Sequence, residues 1–110
     1  MTAGEPIHVP ELMGELKDPW EPHVLTRFDR YHCFLVRLEG EYYRHYHDRD
    51  ELFYVLEGEV EVLYEDGETV HLRPGDLYVV PHSRVHRTRS QGGAVMLVCE
   101  AQDIEYRAVE

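Results

Sequence analysis

Short apolar stretches alternate with turn residues along most of this chain. Between Glu59 and Tyr64, acidic and apolar side chains alternate, which is typical of a strand with one solvated and one buried face. Asp66-Gly67 is a strong hairpin signal, and Arg73-Pro74-Gly75-Asp76 predicts a tight turn. About nine or ten strands fit this pattern, at a spacing of roughly 8–12 residues and with no long helix. The pattern therefore predicts an all-β sandwich or barrel.

The individual strands can be placed from the turns that separate them. Gln91-Gly92-Gly93 is expected to form a loop, and the tail from Ile104 to Val109 is either an edge strand or a loose end. The longer strands expected before that tail are His23–Phe28, Tyr31–Leu38, Glu51–Glu57, Glu59–Tyr64, Glu68–Leu72, Leu77–Val80, Val85–Arg89 and Val95–Glu100.

The first 22 residues differ in composition from the rest of the chain. Four of the six prolines fall there, which predicts an extended, irregular segment. Glu11 to Lys17 is expected to form one or two helical turns, and Trp20 lies between two prolines. We therefore expect an N-terminal segment over residues 1–22, packed on the barrel or on a partner subunit, and a barrel over residues 23–110.

Two histidines separated by one residue are the strongest chemical signal. On a strand, His45 and His47 point to the same face, whereas on a helix they would lie about 200° apart. The polar run Asp48-Arg49-Asp50 is suited to a turn, so Glu51 would begin the next strand and face the same point. Two imidazoles and a carboxylate are typical ligands of borderline metal ions, and His86 offers a fourth ligand.

Two stretches around these residues resemble the two sequence motifs of the cupin family. The first motif is a glycine, His-x-His, three residues, Glu, six residues and Gly, and the second is Gly, five residues, Pro-x-Gly, two residues, His, three residues and Asn. Ser83 and Ser90 stand where glycine and asparagine are usual, and four residues rather than the commoner five separate the first glycine from the first histidine. The resemblance covers roughly residues 20–100 and implies a single-domain double-stranded β-helix, or jelly-roll barrel. The matching residues are Gly40, His45, His47, Glu51, Gly58, Gly75, Pro81 and His86.

The resemblance also implies one divalent metal ion held by His45, His47, Glu51 and His86. Such a site keeps open coordination positions that a small molecule can occupy. These ligands accept zinc, manganese, iron, nickel or copper, so they do not identify the metal. Tyr43 shares the strand parity of His45 and His47, and it is a candidate pocket residue or a packing residue.

Two classes of function follow from a site of this kind. The first is a small metal-dependent enzyme similar to the phosphomannose isomerase-type sugar isomerases or to the cupin dioxygenases. The second is a binding or sensing module without turnover, because the sequence identifies no further acid–base residue. A sugar phosphate would need basic groups at the pocket. Arg84, Arg87 and Arg89 lie near His86 in the sequence, but strand alternation turns the last two away from it.

The other histidines are expected to have different roles. His71 and His82 lack a partner at strand spacing, so we expect them at the rim of the barrel or in turns. His8, His23 and His32 are expected to be structural or exposed.

Composition narrows the choice of partners. The chain has 22 acidic and 11 basic residues and a formal charge of −11, which argues against nucleic acid. The longest apolar run, Ala94 to Cys99, is far below the ~20 residues of a membrane helix. Cys33 and Cys99 lie in apolar strands, and free buried thiols of a cytoplasmic protein are favoured over the alternative, a disulfide. We expect a small-molecule ligand or substrate and a homodimer.

Overall fold

Nine strands and one short helix form the structure, a computed structural model that describes residues 4–110. All nine strands are connected by hydrogen bonds into one sheet, which curls around an apolar core as a jelly-roll barrel. The predicted all-β fold is therefore confirmed. In chain order the elements are α1 (Val9–Met13), β1 (His23–Phe28), β2 (Tyr31–Glu41), β3 (His45–His47), β4 (Glu51–Gly58), β5 (Val60–Tyr64), β6 (Thr69–Leu72), β7 (Leu77–Val80), β8 (His86–Ala101) and β9 (Tyr106–Ala108).

The sixteen-residue strand β8 connects the two halves of the barrel. It pairs antiparallel with β2, β3, β4 and β5. The expectation of a loop at residues 91–93 is wrong, because β8 continues through them. Leu38 pairs with Ala94 and Gly40 with Ser90, so one residue of β2 faces three of β8. The extra residues form a bulge, which bends the strand without ending it.

The core follows from the alternation of side chains on the strands. Along β4 and β5, buried positions alternate with half-buried ones, as the sequence pattern predicts. Val55, Val60 and Val62 are fully buried in this core. The polar end of the same interior holds the buried histidines described below.

The N-terminal segment lies against the barrel. The helix expected over Glu11–Lys17 instead forms α1 at Val9–Met13, with a proline in its first turn. Among the described residues α1 is the only helix, and it is too short to cross a membrane. Trp20 packs on the core, and its backbone N–H donates to the Arg37 carbonyl at 2.8 Å. The boundary between residues 1–22 and 23–110 stays a prediction, and residues 1–3 lie outside the described part.

The expectation of two free thiols is wrong. The structure joins Cys33 and Cys99 in a disulfide between β2 and β8. These residues are directly opposite each other in the ladder, with Cα atoms 4.3 Å apart. Directly opposed residues of antiparallel strands lie close enough for their sulfur atoms to meet. The apolar runs in the sequence do not reveal this register, because it joins strands 66 residues apart.

Candidate metal centre

Three strands, β3, β4 and β8, bring the predicted ligand residues together at one end of the barrel. His45 and His47 are the buried first and last residues of β3. His86 begins β8 and pairs directly with His45. Glu51 begins β4 after the turn at residues 48–50, and it is also buried. Asp50 fixes this turn, because its carboxylate accepts the backbone N–H of His82 at 2.9 Å.

A backbone carbonyl orients each of the three imidazoles. Nδ1 lies 2.9 Å from the Tyr43 carbonyl in His45, 2.8 Å from the Arg49 carbonyl in His47 and 2.8 Å from the Arg84 carbonyl in His86. A carbonyl oxygen only accepts hydrogen bonds, so each Nδ1 carries a proton and donates it, which leaves Nε2 as the nitrogen that can bind a metal ion when the ring is neutral. The Nε2 lone pairs are therefore free, as in the usual geometry of metal-binding histidines.

The free nitrogens converge in a dry interior. One ring nitrogen from each of His45, His47 and His86 lies within 4.8 Å of the others. Nε2 of His47 and Nε2 of His86 are buried without a hydrogen-bond partner. The Nε2 atom of His47 also lies 3.3 Å from the Glu51 carboxylate. Two buried acceptors at this distance repel each other unless a cation, either a proton or a metal ion, lies between them.

The environment keeps two of the imidazoles neutral. Burial lowers the pKa of His86 to about 4 and also lowers the pKa of His45. Burial acts in the same direction on His47, but the close approach and negative charge of the Glu51 carboxylate outweigh it and raise the pKa of His47. The pKa of Glu51 is lowered because its polar contacts with His47, Glu100 and Tyr106 outweigh its burial. A carboxylate and neutral imidazoles are the forms that bind metal ions.

A tyrosine from the C-terminal strand completes the polar cluster. The Tyr106 hydroxyl contacts the Glu51 carboxylate and lies 2.7 Å from Oε2 of Glu100. A phenol has a single proton, so it can donate to only one of two carboxylates. If Tyr106 donates to the ionised Glu51, Glu100 must carry a proton and donate to the phenol oxygen. Nε2 of His32 then donates to the other oxygen of Glu100, at 3.0 Å.

The pKa shifts agree with this assignment of protons to Tyr106, Glu100 and His32. Burial and the nearby Glu51 carboxylate raise the pKa of Glu100. Burial and the two carboxylates also raise the pKa of Tyr106. Burial lowers the pKa of His32, which stays a neutral donor. One ionised carboxylate, Glu51, therefore faces the imidazoles, and the second acid is held neutral.

A cavity of about 300 Å³ adjoins the histidines. Its polar corner contains His32, His45, Glu51, Glu100 and Tyr106, and no Lys or Arg is among the described residues that line it. The remaining walls are mainly apolar or aromatic and are formed by Trp20, Pro22, Val24, Phe34, Val36, Tyr42, Phe53, Met96 and Val98. The cavity therefore suits a small molecule with an apolar body and one polar end.

Tyr42 lines this cavity, whereas Tyr43 is not among its lining residues. Tyr43 exposes 42% of its surface, and its ring centroid lies 4.8 Å from that of His45. Strand parity does not extend to Tyr43, because β2 ends at Glu41 and β3 begins at His45. A role for Tyr43 in the site stays a prediction. Its backbone carbonyl accepts a hydrogen bond from Nδ1 of His45 and so orients that ring.

Two of the remaining histidines, His71 and His82, lie away from the centre. His71 is exposed and lies 3.6 Å from the Glu61 carboxylate. His82 is exposed in the turn after β7. His32 differs from the expectation of a purely structural or exposed role, because it lines the cavity and contacts Glu100.

Of the two acid–base residues missed in the sequence, Glu100 and Tyr106, only the first carries a detectable signal. Glu100 shares strand parity with Met96 and Val98, which are buried. A carboxylate at an inward position after an apolar run predicts a buried acid. Tyr106 is harder to find, because it reaches the site only through the pairing of β9 with β3, where it lies opposite His47.

Comparisons with known proteins agree with the fold and the motifs. The chain matches the family model described as "Cupin domain" over residues 34–100. The uncharacterized protein YdbB of Bacillus subtilis (strain 168) is 43% identical over 81 residues, which are 72% of each protein. A cupin-2 domain containing protein from Shewanella frigidimarina superposes with a TM-score of 0.84 at 28% identity, covering 87% of this chain and 94% of that chain. Protein NMB1881 from Neisseria meningitidis superposes with a TM-score of 0.82 at 31% identity, covering 89% of this chain and 100% of that chain.

Proposed function

We propose, from the premise that this chain belongs to the cupin domain family, that it holds one divalent metal ion with His45, His47, His86 and Glu51. The observation that carries this proposal is the pair of buried, unpartnered Nε2 atoms of His47 and His86. Buried acceptors without a partner are destabilising, and a shared cation satisfies both of them. Their Nδ1 atoms already donate to backbone carbonyls, so Nε2 is the nitrogen that each ring offers to the ion.

The second part of the proposal is that a small organic molecule binds beside the ion in the 300 Å³ cavity. Three neutral imidazoles and one carboxylate leave a net charge of +1 around a divalent ion. Such an ion, when bound, supplies Lewis acidity toward an oxygen atom of the molecule. The protein itself supplies the apolar walls that exclude water, and the Tyr106 hydroxyl that holds Glu51 in place.

Among enzymes, the cavity favours a metal-dependent dioxygenase over a phosphosugar isomerase. A phosphate group needs cationic partners, and the described lining residues include no Lys or Arg. The three arginines near His86 form ion pairs outside the cavity lining. Arg84 pairs with Asp66 and Glu68, and Arg87 and Arg89 pair with Glu41.

A second candidate function is binding or sensing without turnover. This function is favoured because the acid–base groups beside the cavity form hydrogen bonds with one another. The Tyr106 hydroxyl is shared between Glu51 and Glu100, and Glu100 is also held by His32. A general base must be available to a proton of the substrate, and these groups contact one another instead.

The homodimer and the cytoplasmic location stay predictions. Exposed apolar side chains on β7, Leu77 and Val79, offer a surface that a second copy could cover. Native mass spectrometry of untreated protein would give the number of subunits.

Metal content tests the proposed function directly. Protein purified without chelators or metal-affinity tags should contain about one divalent ion per chain by elemental analysis. His47→Ala and His86→Ala should each lower that content sharply. His71→Ala is the matched control, because this imidazole is exposed and lies outside the cluster. Unchanged metal content in both cluster variants would contradict the assignment.

Oxygen consumption then separates the two functions. Iron-loaded protein should consume oxygen with at least one member of a panel of phenols, catechols and thiols if it is a dioxygenase, and His86→Ala should abolish that consumption. Binding of a panel member without oxygen consumption or conversion would support the binding module.

A further inference from the structure

The walls of the cavity are mostly apolar. Two imidazoles and two carboxylates line it, Thr88, Tyr42 and Tyr106 add hydroxyl groups, and the other eight lining residues are apolar or aromatic. A second charged group on a ligand would lie against those walls without a partner, which carries a high desolvation cost. The body of the ligand is therefore expected to be uncharged, with its polar atom directed toward the histidines.

The N-terminal segment forms part of the apolar wall. Trp20 lines the cavity and stacks on Tyr42, with ring centroids 4.8 Å apart and an interplanar angle of 25°. Its indole N–H already donates to the Glu39 carbonyl at 3.1 Å. Since its one polar atom is used, the indole offers only aromatic surface to a ligand.

The position of Trp20 is firmly set by the barrel. Its backbone N–H donates to the carbonyl of Arg37, and the Arg37 guanidinium donates to the Lys17 carbonyl at 2.6 Å. Trp20 has a φ of 68°, a left-handed conformation that is uncommon for a bulky residue. Such conformations persist where surrounding contacts hold the backbone, and they are concentrated at binding sites.

The aromatic wall leads directly to the histidines. Tyr42 contacts His45 edge-to-face, with centroids 5.6 Å apart and an interplanar angle of 89°. A planar ring lying along Trp20 and Tyr42 would therefore place a substituent near His45. Phe34 and Phe53 also line the cavity, so aromatic side chains are present in more than one wall. Aromatic pairs in stacked or edge-to-face contact gain free energy beyond that of the area they bury, and a saturated ring has no π-system to provide this gain.

We propose that the cavity selects an uncharged aromatic molecule of one or two rings bearing a hydroxyl group, and that Trp20 is a specificity-determining residue for it. This inference rests on the proposed function, because it names the class of molecule bound beside the metal site. The volume of about 300 Å³ is at the lower end of small-molecule pockets, which fits a ligand of this size.

Three probes test the selection by isothermal titration calorimetry. Phenol and cyclohexanol each carry one hydroxyl group and have nearly the same size. Phenol is aromatic and its hydroxyl is more acidic, so the comparison in metal-free protein isolates the aromatic contribution. Glucose 6-phosphate represents the charged sugars. Each probe is titrated into zinc-loaded and metal-free protein, since zinc does not oxidise phenol. Phenol should bind about 5–10-fold more tightly than cyclohexanol, and glucose 6-phosphate should show no binding in the cavity.

Variants of Trp20 assign the selectivity to this residue. Trp20→Ala should reduce the phenol-to-cyclohexanol preference to about twofold or less, and Trp20→Phe should keep most of it, because it keeps an aromatic ring. Leu77→Ala, at an exposed position outside the cavity, should change nothing. Equal affinities for phenol and cyclohexanol, or an unchanged preference in Trp20→Ala, would overturn the inference.

The zinc content of the same samples separates this inference from the proposed function. If the wild-type protein retains zinc but shows no preference for phenol, the aromatic selection is wrong and the metal site stands. If it retains no zinc but prefers phenol, the metal proposal fails and the selection by the cavity stands.

Discussion

Removing the Tyr106 hydroxyl perturbs the candidate centre without touching a proposed metal ligand. In Tyr106→Phe the ring remains and can still stack on His45, where the centroids are 5.2 Å apart and the planes differ by 9°. Only the hydrogen bonds to Glu51 and Glu100 are lost. Although Tyr106 is 36% exposed, its hydroxyl reaches Glu51, which is 3% exposed, so solvent cannot easily replace the lost donor.

The expected loss in the free energy of unfolding follows from the charge on Glu51. A hydrogen bond to a charged group contributes about 1.5–3 kcal/mol, so the free energy of unfolding of the metal-free protein should fall by about that amount. Loss of a hydrogen bond that orients a ligand typically weakens metal binding by about 10–100-fold. Both effects act on the same carboxylate and should appear together.

Two assays measure these effects. Urea denaturation of the metal-free protein gives the free energy of unfolding, and competition with a chromogenic chelator gives the zinc affinity. Tyr46→Phe is the matched control, because Tyr46 lies on the opposite face of β3 from His45 and His47. A zinc affinity in Tyr106→Phe within twofold of that in Tyr46→Phe would refute the reasoning.

Three further predictions follow from other features of the fold. Between about pH 6 and pH 5, zinc binding should release fewer protons per ion than three ordinary imidazoles would, because the pKa of His86 is held at about 4 and that of His45 is also lowered, while His47, with its raised pKa, stays protonated in the metal-free centre. Three imidazoles with ordinary pKa values near 6.5 would release about two or more, and pH-dependent calorimetry distinguishes the cases. The disulfide between β2 and β8 links residues that are 66 positions apart, so its reduction should lower the free energy of unfolding by up to about 4 kcal/mol. Urea denaturation with and without reductant measures this loss, and an unchanged free energy of unfolding would contradict the cross-link. Gly58→Ala should destabilise the protein far more than Gly67→Ala, because both glycines have positive φ but only at Gly58 would a methyl group clash with the backbone of the neighbouring strand; equal losses in thermal denaturation would contradict this packing.

The sequence predicted the centre where the residues are local and regular. His45 and His47 share a face because strand side chains alternate, and this rule needs no tertiary information. Glu51 follows them after a short polar turn. The placement of His86 came from the family resemblance, since strand alternation alone gives no reason for it to pair with His45.

The features that escaped prediction depend on register or on irregular backbone. The disulfide requires Cys33 to lie opposite Cys99, and Tyr106 requires β9 to pair with β3. Neither pairing is encoded in a local pattern. Tyr42, and not the predicted Tyr43, lines the cavity, because residues 42–44 lie between strands, where the alternation of side chains does not apply. The burial of Glu100 could have been predicted from the sequence, since Glu100 shares strand parity with the buried Val98.

Anomalous diffraction from a zinc-loaded crystal tests the metal centre most directly. A single strong peak at the zinc edge should lie about 2.0–2.1 Å from Nε2 of His45, His47 and His86, with a Glu51 oxygen at about 2.0–2.2 Å. A peak at any other position, or none in crystals grown with excess zinc, would contradict the account.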